Sequence, residues 1–231
     1  MKYKNKIALV TGAASGIGHE LAKKFVEKGS KVISLDLIDP EEKIEEVEYL
    51  KVDITDKKQV IDAIDKIDGQ IDFVINNAGV MRRGHYDELT EEDFDLVMNV
   101  NVKGAWMVLK YAKAKMNKEA VVLQMSSKNA RYFKERTAVY SISKAAIHVL
   151  SEIVQKSMPK YRVKTAFPGP VDTDLVWRGN MQKSEIEEKK KIVVSPEFMA
   201  SKLIELIESP EPYLIYDKFN YKYYLSDSFS T

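Results

Sequence analysis

Residues 7–18 read Ile7-Ala8-Leu9-Val10-Thr11-Gly12-Ala13-Ala14-Ser15-Gly16-Ile17-Gly18, a short apolar strand that runs through a glycine-rich bend straight into a helical pattern. A backbone that turns this tightly, and that a pyrophosphate can approach, needs residues without side chains. The helix opening at the bend directs free N–H groups and its positive dipole end toward the phosphates. Glycines at this spacing also serve plain turns. The strand before and the helix after favour a nucleotide-binding bend.

Outward from this bend the chain alternates strand and helix patterns. Strands are expected near Lys6–Val10, Lys31–Leu35, Tyr49–Val52, Ile71–Ile75, Ala120–Met125, Arg162–Ala166 and Tyr213–Ile215. Helices are expected over Ile17–Lys28, stopped by Gly29, and over Lys57–Ile67, Val102–Met116, Thr137–Met158 and Pro196–Glu208. A further helix starts at Thr90, where Glu92 and Asp93 complete a capping signal. Such alternation predicts an α/β fold: a single Rossmann-like, doubly wound parallel sheet of about seven strands with helices on both faces. Asp39–Val47 is short and acidic and reads as a loop or one poor helix. Val171–Val194 is polar, interrupts the alternation and reads as a lid or a disordered loop. With no dividing linker and no internal repeat, residues 1–231 read as one domain. The tail from Asp217 is rich in aromatics, and packing on a partner subunit or on its own domain both stay open.

Composition narrows the function classes. The 231 residues are 45% hydrophobic and 31% charged, with a net charge of +1. That balance implies no general attraction to nucleic acid. Zero cysteines exclude disulfides, thiolate catalysis and cysteine-ligated metal. The three histidines, His19, His85 and His148, are scattered, so no metal site is expected. The apolar run after the basic N-terminus is too short for a signal-peptide core, and no stretch approaches the roughly 20 residues that span a bilayer. A soluble cytoplasmic protein is expected.

Several residues carry candidate chemistry. Asp36 ends the second strand, eighteen residues beyond Gly18. At that spacing a carboxylate meets the adenine ribose, accepting bonds from both hydroxyls and repelling a 2′-phosphate. Ser15 and Leu37 stand where a cation for that phosphate is usual. NAD is therefore favoured over NADP. Asp53, at the end of the third strand, is a candidate for the adenine amine. Asn76-Asn77-Ala78-Gly79 follows the fourth strand with small residues that let a backbone run beside a flat ring.

Tyr140 and Lys144 lie four apart on one helical face. Tyr111 and Lys115 repeat the spacing, so the pair alone means little. Tyr140 differs by having Ser126-Ser127 upstream at a strand end, where parallel sheets bind ligands. A phenol with a pKa near 10 is a poor base at neutral pH. A neighbouring ammonium and a nicotinium ring would favour phenolate, and Tyr140 is expected to have a lowered pKa for that reason. It could then exchange a proton with an alcohol or a developing alkoxide. Singly, Ser127 reads as a cap, Tyr140 as packing and Lys144 as a surface charge.

Taken in order, Thr11-Gly12, Gly16-Ile17-Gly18, Asn76-Asn77-Ala78-Gly79, Asn101 within Asn-Val-Lys-Gly, Ser127, Tyr140/Lys144 and Pro168-Gly169 with Thr173 resemble the short-chain dehydrogenase/reductases over nearly the full length. The resemblance implies hydride transfer between a nicotinamide and an alcohol or carbonyl. It implies Tyr140 as acid/base, Lys144 as its helper, Ser127 as the group binding the substrate oxygen, and Asn101 holding a water in a proton path. It implies that Thr173 and the backbone near Val171 hold the nicotinamide amide and that Asn77 and Gly79 flank the cofactor. The cofactor candidates are then Gly12, Ser15, Gly16, Ile17, Gly18, Asp36, Asp53, Ile54, Asn77, Ala78, Gly79, Tyr140, Lys144, Pro168, Val171 and Thr173.

The chain departs from the family pattern at the short turn between Met158 and Arg162, at Lys164 in place of the usual asparagine, and at Tyr216-Asp217-Lys218-Phe219 near the C-terminus. The last departure bears on a tetramer. A homodimer or homotetramer is expected through the helices carrying Trp106, Met107, Val108, Ile147, Val149 and Leu150.

Substrate contacts are expected from Met81, Arg82, Arg83 and His85, from Lys128, Asn129 and Tyr132, and from Trp177, Arg178 and Met181, with 171–194 as substrate lid. The cations among them fit an acidic or phosphorylated substrate, and equally fit plain solvation. The alternatives are an NADP-dependent 3-oxoacyl-type reductase, a non-catalytic dinucleotide sensor, and a methyltransferase. In the last of these the Tyr/Lys pair has no purpose.

Overall fold

The computed structural model describes residues 3–179 and 181–229. The first strand, β1 (Ile7–Thr11), is apolar on both faces because it lies in the middle of a parallel sheet. After α1 (Gly16–Glu27) come β2 (Lys31–Asp36), β3 (Val47–Lys51), α2 (Lys57–Asp65), β4 (Ile71–Asn76), α3 (Glu91–Met98), α4 (Ala105–Ala112), β5 (Met116–Met125), α5 (Ala138–Ser157) and β6 (Arg162–Phe167). Two short helices, α6 (Asp174–Trp177) and α7 (Lys183–Lys190), precede α8 (Pro196–Glu208), β7 (Tyr213–Asp217) and β8 (Lys222–Ser226). The strand order is β3-β2-β1-β4-β5-β6-β7-β8. All neighbours pair in parallel except β7 and β8.

The side-chain period of two divides the core between the two faces. Ala8, Val10, Phe73 and Leu123 face Leu21 and Phe25 of α1 and Met199 and Leu203 of α8. Leu9, Ile33, Val74 and Val122 face Val60 of α2, Val108 of α4 and Val154 of α5. Both faces are thus covered and the sheet is doubly wound. The order reverses between β1 and β4, so their C-terminal ends diverge and leave a crevice between the bend after β1 and the segment after β4.

Four features differ from the sequence expectation. An eighth strand, β8, is present. The aromatic tail turns back at Tyr221, which takes a left-handed φ of 53°, and pairs antiparallel with β7. Tyr223 packs on Tyr216 and accepts a hydrogen bond from Gly169 N (3.1 Å), so the described tail packs on its own chain. Second, α4 ends at Ala112 and β5 begins four residues early at Met116, which pairs with Ile71. Lys115 donates to the carbonyls of Asp65 and Ile67 at the end of α2, so the second Tyr/Lys pair is structural. Third, residues 171–194 contain α6 and α7 and are closed at the base by a Val171–Val194 bridge. Fourth, α3 and α4 are joined by a π-helical stretch, Asn99–Gly104. Residues 37–46 form no helix. Among the described residues, no helix is long and apolar enough to cross a membrane.

Candidate functional site

The glycine bend is built by backbone contact. Gly12 has a φ of 70°, and a Cβ there would lie 2.8 Å from Ala78 Cα. A Cβ on Gly18 would lie 2.0 Å from Gly12 O. Gly18 is therefore the residue that lets α1 start against the bend. Asn77 Nδ2 donates to Thr11 O (3.1 Å) and Gly12 O (3.0 Å). Thr11 Oγ1 accepts from Asn77 N (3.1 Å) and Ala78 N (3.0 Å). Thr11 thus ties the two halves of the crevice together. Sequence reading placed it in the bend as part of Thr11-Gly12 without assigning it this role.

The crevice forms a cleft of about 350 Å³. Gly12, Ser15, Gly16, Ile17, Asp36, Asp53, Ile54, Asn77, Ala78, Gly79 and Thr173 all line it. Asp36 is held at its edge by Ala14 N, which donates to Oδ2 (2.9 Å). Asp53 Oδ1 accepts from the N–H (2.8 Å) and the hydroxyl (2.7 Å) of Thr55. The cradle fits a dinucleotide: backbone and glycine at the phosphate end, and a fixed carboxylate at the end of β2.

A second cavity, of about 180 Å³, adjoins the first through shared lining by Ile17, Asn77, Thr173 and Leu175. Ser127, Tyr140 and Lys144 line it, as do Pro168 and Val171. Tyr140 is 9% exposed and its hydroxyl is hydrogen-bonded to that of Ser127. Ser127 Oγ also accepts from Asn129 N (3.1 Å). Lys144 is 3% exposed, with Nζ donating to Met125 O (2.8 Å) and lying 5.6 Å from the Tyr140 ring centre.

Burial, not the ammonium, dominates the phenol. Tyr140 is pushed up to about 12, opposed by the Ser127 hydrogen bond and by the Arg83 charge. Among the protein's own groups, the cost of burying a phenolate exceeds the stabilisation from neighbouring donors and cations; the nicotinium charge in the expected acidification comes with the cofactor. Burial also lowers Lys144 to about 8.

Asn101 lies in the π-helical stretch and is 1% exposed. Its Oδ1 accepts from Val80 N (2.8 Å), and Nδ2 donates to Val80 O and Ser143 Oγ (both 2.9 Å). Both amide hydrogens are therefore used within the protein. The bonds fix the backbone beside Gly79, where a Cβ would lie 3.4 Å from Lys144 Nζ. A helix widened to a π-turn is a frequent way to aim a side chain at a site.

The expected substrate contacts divide. Met81, Arg83, Lys128 and Asn129 line the smaller cavity, whereas Arg178 lines the larger cleft. Arg82, His85, Tyr132, Trp177 and Met181 are not among the described lining residues. Arg82 pairs with Asp93 (3.1 Å), and Trp177 donates to Asp172 (2.7 Å).

The profile of the short chain dehydrogenase family matches residues 6–184. The chain belongs to this family. The short-chain dehydrogenase is 35% identical over 189 residues to an uncharacterized oxidoreductase of Thermotoga maritima, covering 75% of each chain. It is 32% identical over 191 residues to a galactitol 2-dehydrogenase of Agrobacterium fabrum, covering 74% of this chain and 73% of that one. The ligand-free structure of a Thermoplasma acidophilum aldohexose dehydrogenase superposes with a TM-score of 0.80 at 28% identity, covering 89% of this chain and 88% of that one. The protein is thus an oxidoreductase enzyme, and the methyltransferase alternative loses its support.

Proposed function

We propose that the enzyme transfers a hydride between NAD and an alcohol or its carbonyl, with Tyr140 as acid and base. The observation that carries this reading is the adjacency of the two chambers, one lined by the glycine bend and Asp36, the other by Ser127, Tyr140 and Lys144. Thr173 and the backbone near Val171 would hold the nicotinamide, which would supply the hydride donor or acceptor when bound.

The chain's own residues handle the oxygen and its proton. Ser127 donates a hydrogen bond to the substrate oxygen and orients it toward Tyr140. In reduction the neutral phenol of Tyr140 gives its proton to the developing alkoxide. In oxidation its phenolate takes the proton from the alcohol, and the Lys144 ammonium stabilises that negative charge. Asn101 fixes the Gly79–Val80 backbone against Lys144. Its remaining capacity is a lone pair on Oδ1, which suits a water donating to it. Residues 171–194 act as the substrate lid on a single functional unit spanning residues 1–231.

NAD rather than NADP is supported by charge. Asp36, Asp53 and Asp174 line the larger cleft, and the one cation among its described lining residues, Arg178, comes from the 171–194 segment rather than from the end of β2. The preference separates this reading from an NADP-dependent 3-oxoacyl-type reductase.

The protein is further proposed to act as a cytoplasmic homo-oligomer paired through α4 and α5, where Trp106, Ile142, Val149 and Ile153 are 43–55% exposed.

Thermal unfolding with each cofactor tests the reading. A ligand at a hundredfold its Kd stabilises by about 2.7 kcal/mol. NAD is expected to raise the Tm well above the value with an equal concentration of NADP, and NAD with secondary alcohols to yield NADH. A larger shift with NADP overturns the cofactor assignment. Binding of NAD without turnover across a broad panel of alcohols and ketones favours a dinucleotide sensor instead.

A further inference from the structure

We propose that the substrate carries an anionic group, a carboxylate or a phosphate, and that Lys128 binds it. This rests on the hydride transfer proposed above and adds the class of molecule on which it acts.

The smaller cavity is lined by Arg83, Lys128, Lys134, Lys144 and Lys189 against two carboxylates, Glu185 and Glu188. Glu185 is already committed, at 3.2 Å to Arg83 and 2.9 Å to Lys189, and Glu188 is exposed. Lys144 donates to the Met125 carbonyl. Lys134 is exposed to water, which leaves Lys128, the residue after Ser127, as the partly buried cation without a carboxylate among the described residues.

Its ammonium lies 5.3 Å from the Tyr216 ring centre. Among the described residues the charges that act on it are Lys134, Lys189 and Lys218, all of its own sign. Burial and this mutual repulsion lower Lys128 to about 8. An ammonium held half-buried among like charges is unfavourable until an anion arrives. Ser127, Lys128 and Tyr140 line the same cavity, so an anion on Lys128 and the reacting oxygen share one chamber. A neutral polyol has no use for such an arrangement, since nothing on it repays the repulsion.

The test loads the enzyme with NAD, so that added ketones bind without being reduced, and measures affinity by calorimetry. Two matched pairs serve as probes: acetoacetate with 2-pentanone, and dihydroxyacetone phosphate with dihydroxyacetone. At least one anionic member is expected to bind about tenfold or more tightly than its neutral partner, the range for a charge-assisted hydrogen bond. Which pair shows the preference decides between carboxylate and phosphate.

Lys128→Gln is expected to bring that ratio within about twofold of one, and Lys128→Arg to retain most of it. Equal affinities within both pairs, undetectable binding of both anions, or a preference that survives Lys128→Gln overturns the proposal. The NAD titration that precedes loading separates the two readings: absent NAD binding sinks the hydride transfer, whereas tight NAD binding with no anion preference sinks only the substrate class.

Discussion

Arg83 and Glu185 are 102 residues apart in sequence and form an ion pair at 3.2 Å in the lining of the smaller cavity. The Arg83 side chain is 5% exposed, and it also donates to Arg178 O (2.7 Å) and Val176 O (2.9 Å). One side chain after β4 therefore clasps the 171–194 segment at three points. Arg83→Met leaves the partly buried Val176 carbonyl and part of the Glu185 carboxylate without donors, at up to about 1–3 kcal/mol for each, whereas the exposed Arg178 carbonyl turns to water. Glu185 keeps Lys189, so the lower end of that range applies to it. The segment opens locally before the sheet does. Limited proteolysis within 171–194 is expected to speed up by about tenfold or more, with a Tm loss of only a few degrees. An unchanged cleavage rate contradicts the clasp.

Gly18→Ala places a methyl 2.0 Å from the Gly12 carbonyl. The clash is with backbone and has no flexible neighbour to absorb it. Forced overpacking costs typically about 1–3 kcal/mol, and more where backbone must move. The variant is expected to melt several degrees lower and to lose most of its NAD affinity, read by thermal scanning and titration. A variant that melts and binds like the parent contradicts the bend geometry.

Asp36→Ser removes the carboxylate that Ala14 N holds at the end of β2. A charged group accepting hydrogen bonds contributes about 1.5–3 kcal/mol. NAD affinity is expected to fall about tenfold or more while NADP affinity rises, measured by fluorescence titration of both. A variant with unchanged discrimination shows that Asp36 does not select the cofactor.

The two directions of reaction should differ in their pH dependence. Burial raises Tyr140 to about 12, so the neutral phenol dominates across the neutral range and phenolate grows as pH rises. Alcohol oxidation, which needs the base form, is expected to accelerate from pH 6 to about 8 and then level off as Lys144 loses the proton that stabilises phenolate. Carbonyl reduction, which needs the acid form, is expected to stay level from pH 6 to 9, because the phenol remains neutral throughout. Steady-state kcat profiles in both directions check this; an oxidation profile flat from 6 to 9 contradicts it.

What the sequence made legible was local. The bend at Gly12–Gly18, the crevice partners Asn77–Gly79 and the Ser127/Tyr140/Lys144 grouping each follow a strand end, and strand ends of a parallel sheet converge by topology. The span 171–194 was visible as a break in alternation, and its limits coincide with the Val171–Val194 bridge. Less legible were features set by distant contacts. Arg83 carries nothing locally that marks it as a clasp on the 171–194 segment. β8 is an edge strand whose pairing depends on the turn at Tyr221, and its Tyr-rich sequence left packing on a partner or on its own domain open. Lys164, an expected departure from the family, is a buried cation that donates to the carbonyls of Ser209 (2.8 Å) and Glu211, so it pins β6 to the turn before β7. The upward push of burial on Tyr140 was not legible, because burial is invisible in a residue pattern.

The measurement closest to the centre of this account is the pair of constants for Tyr140→Phe: kcat with an alcohol substrate and Kd for NAD. Loss of a general acid–base group removes about 10²–10⁴-fold in rate. We expect kcat to fall by that much while Kd stays within about twofold of the parent. A phenylalanine variant that turns over within tenfold of the parent shows that the proton moves elsewhere, and a joint collapse of kcat and NAD binding shows that Tyr140 holds the cofactor cleft together rather than serving the chemistry.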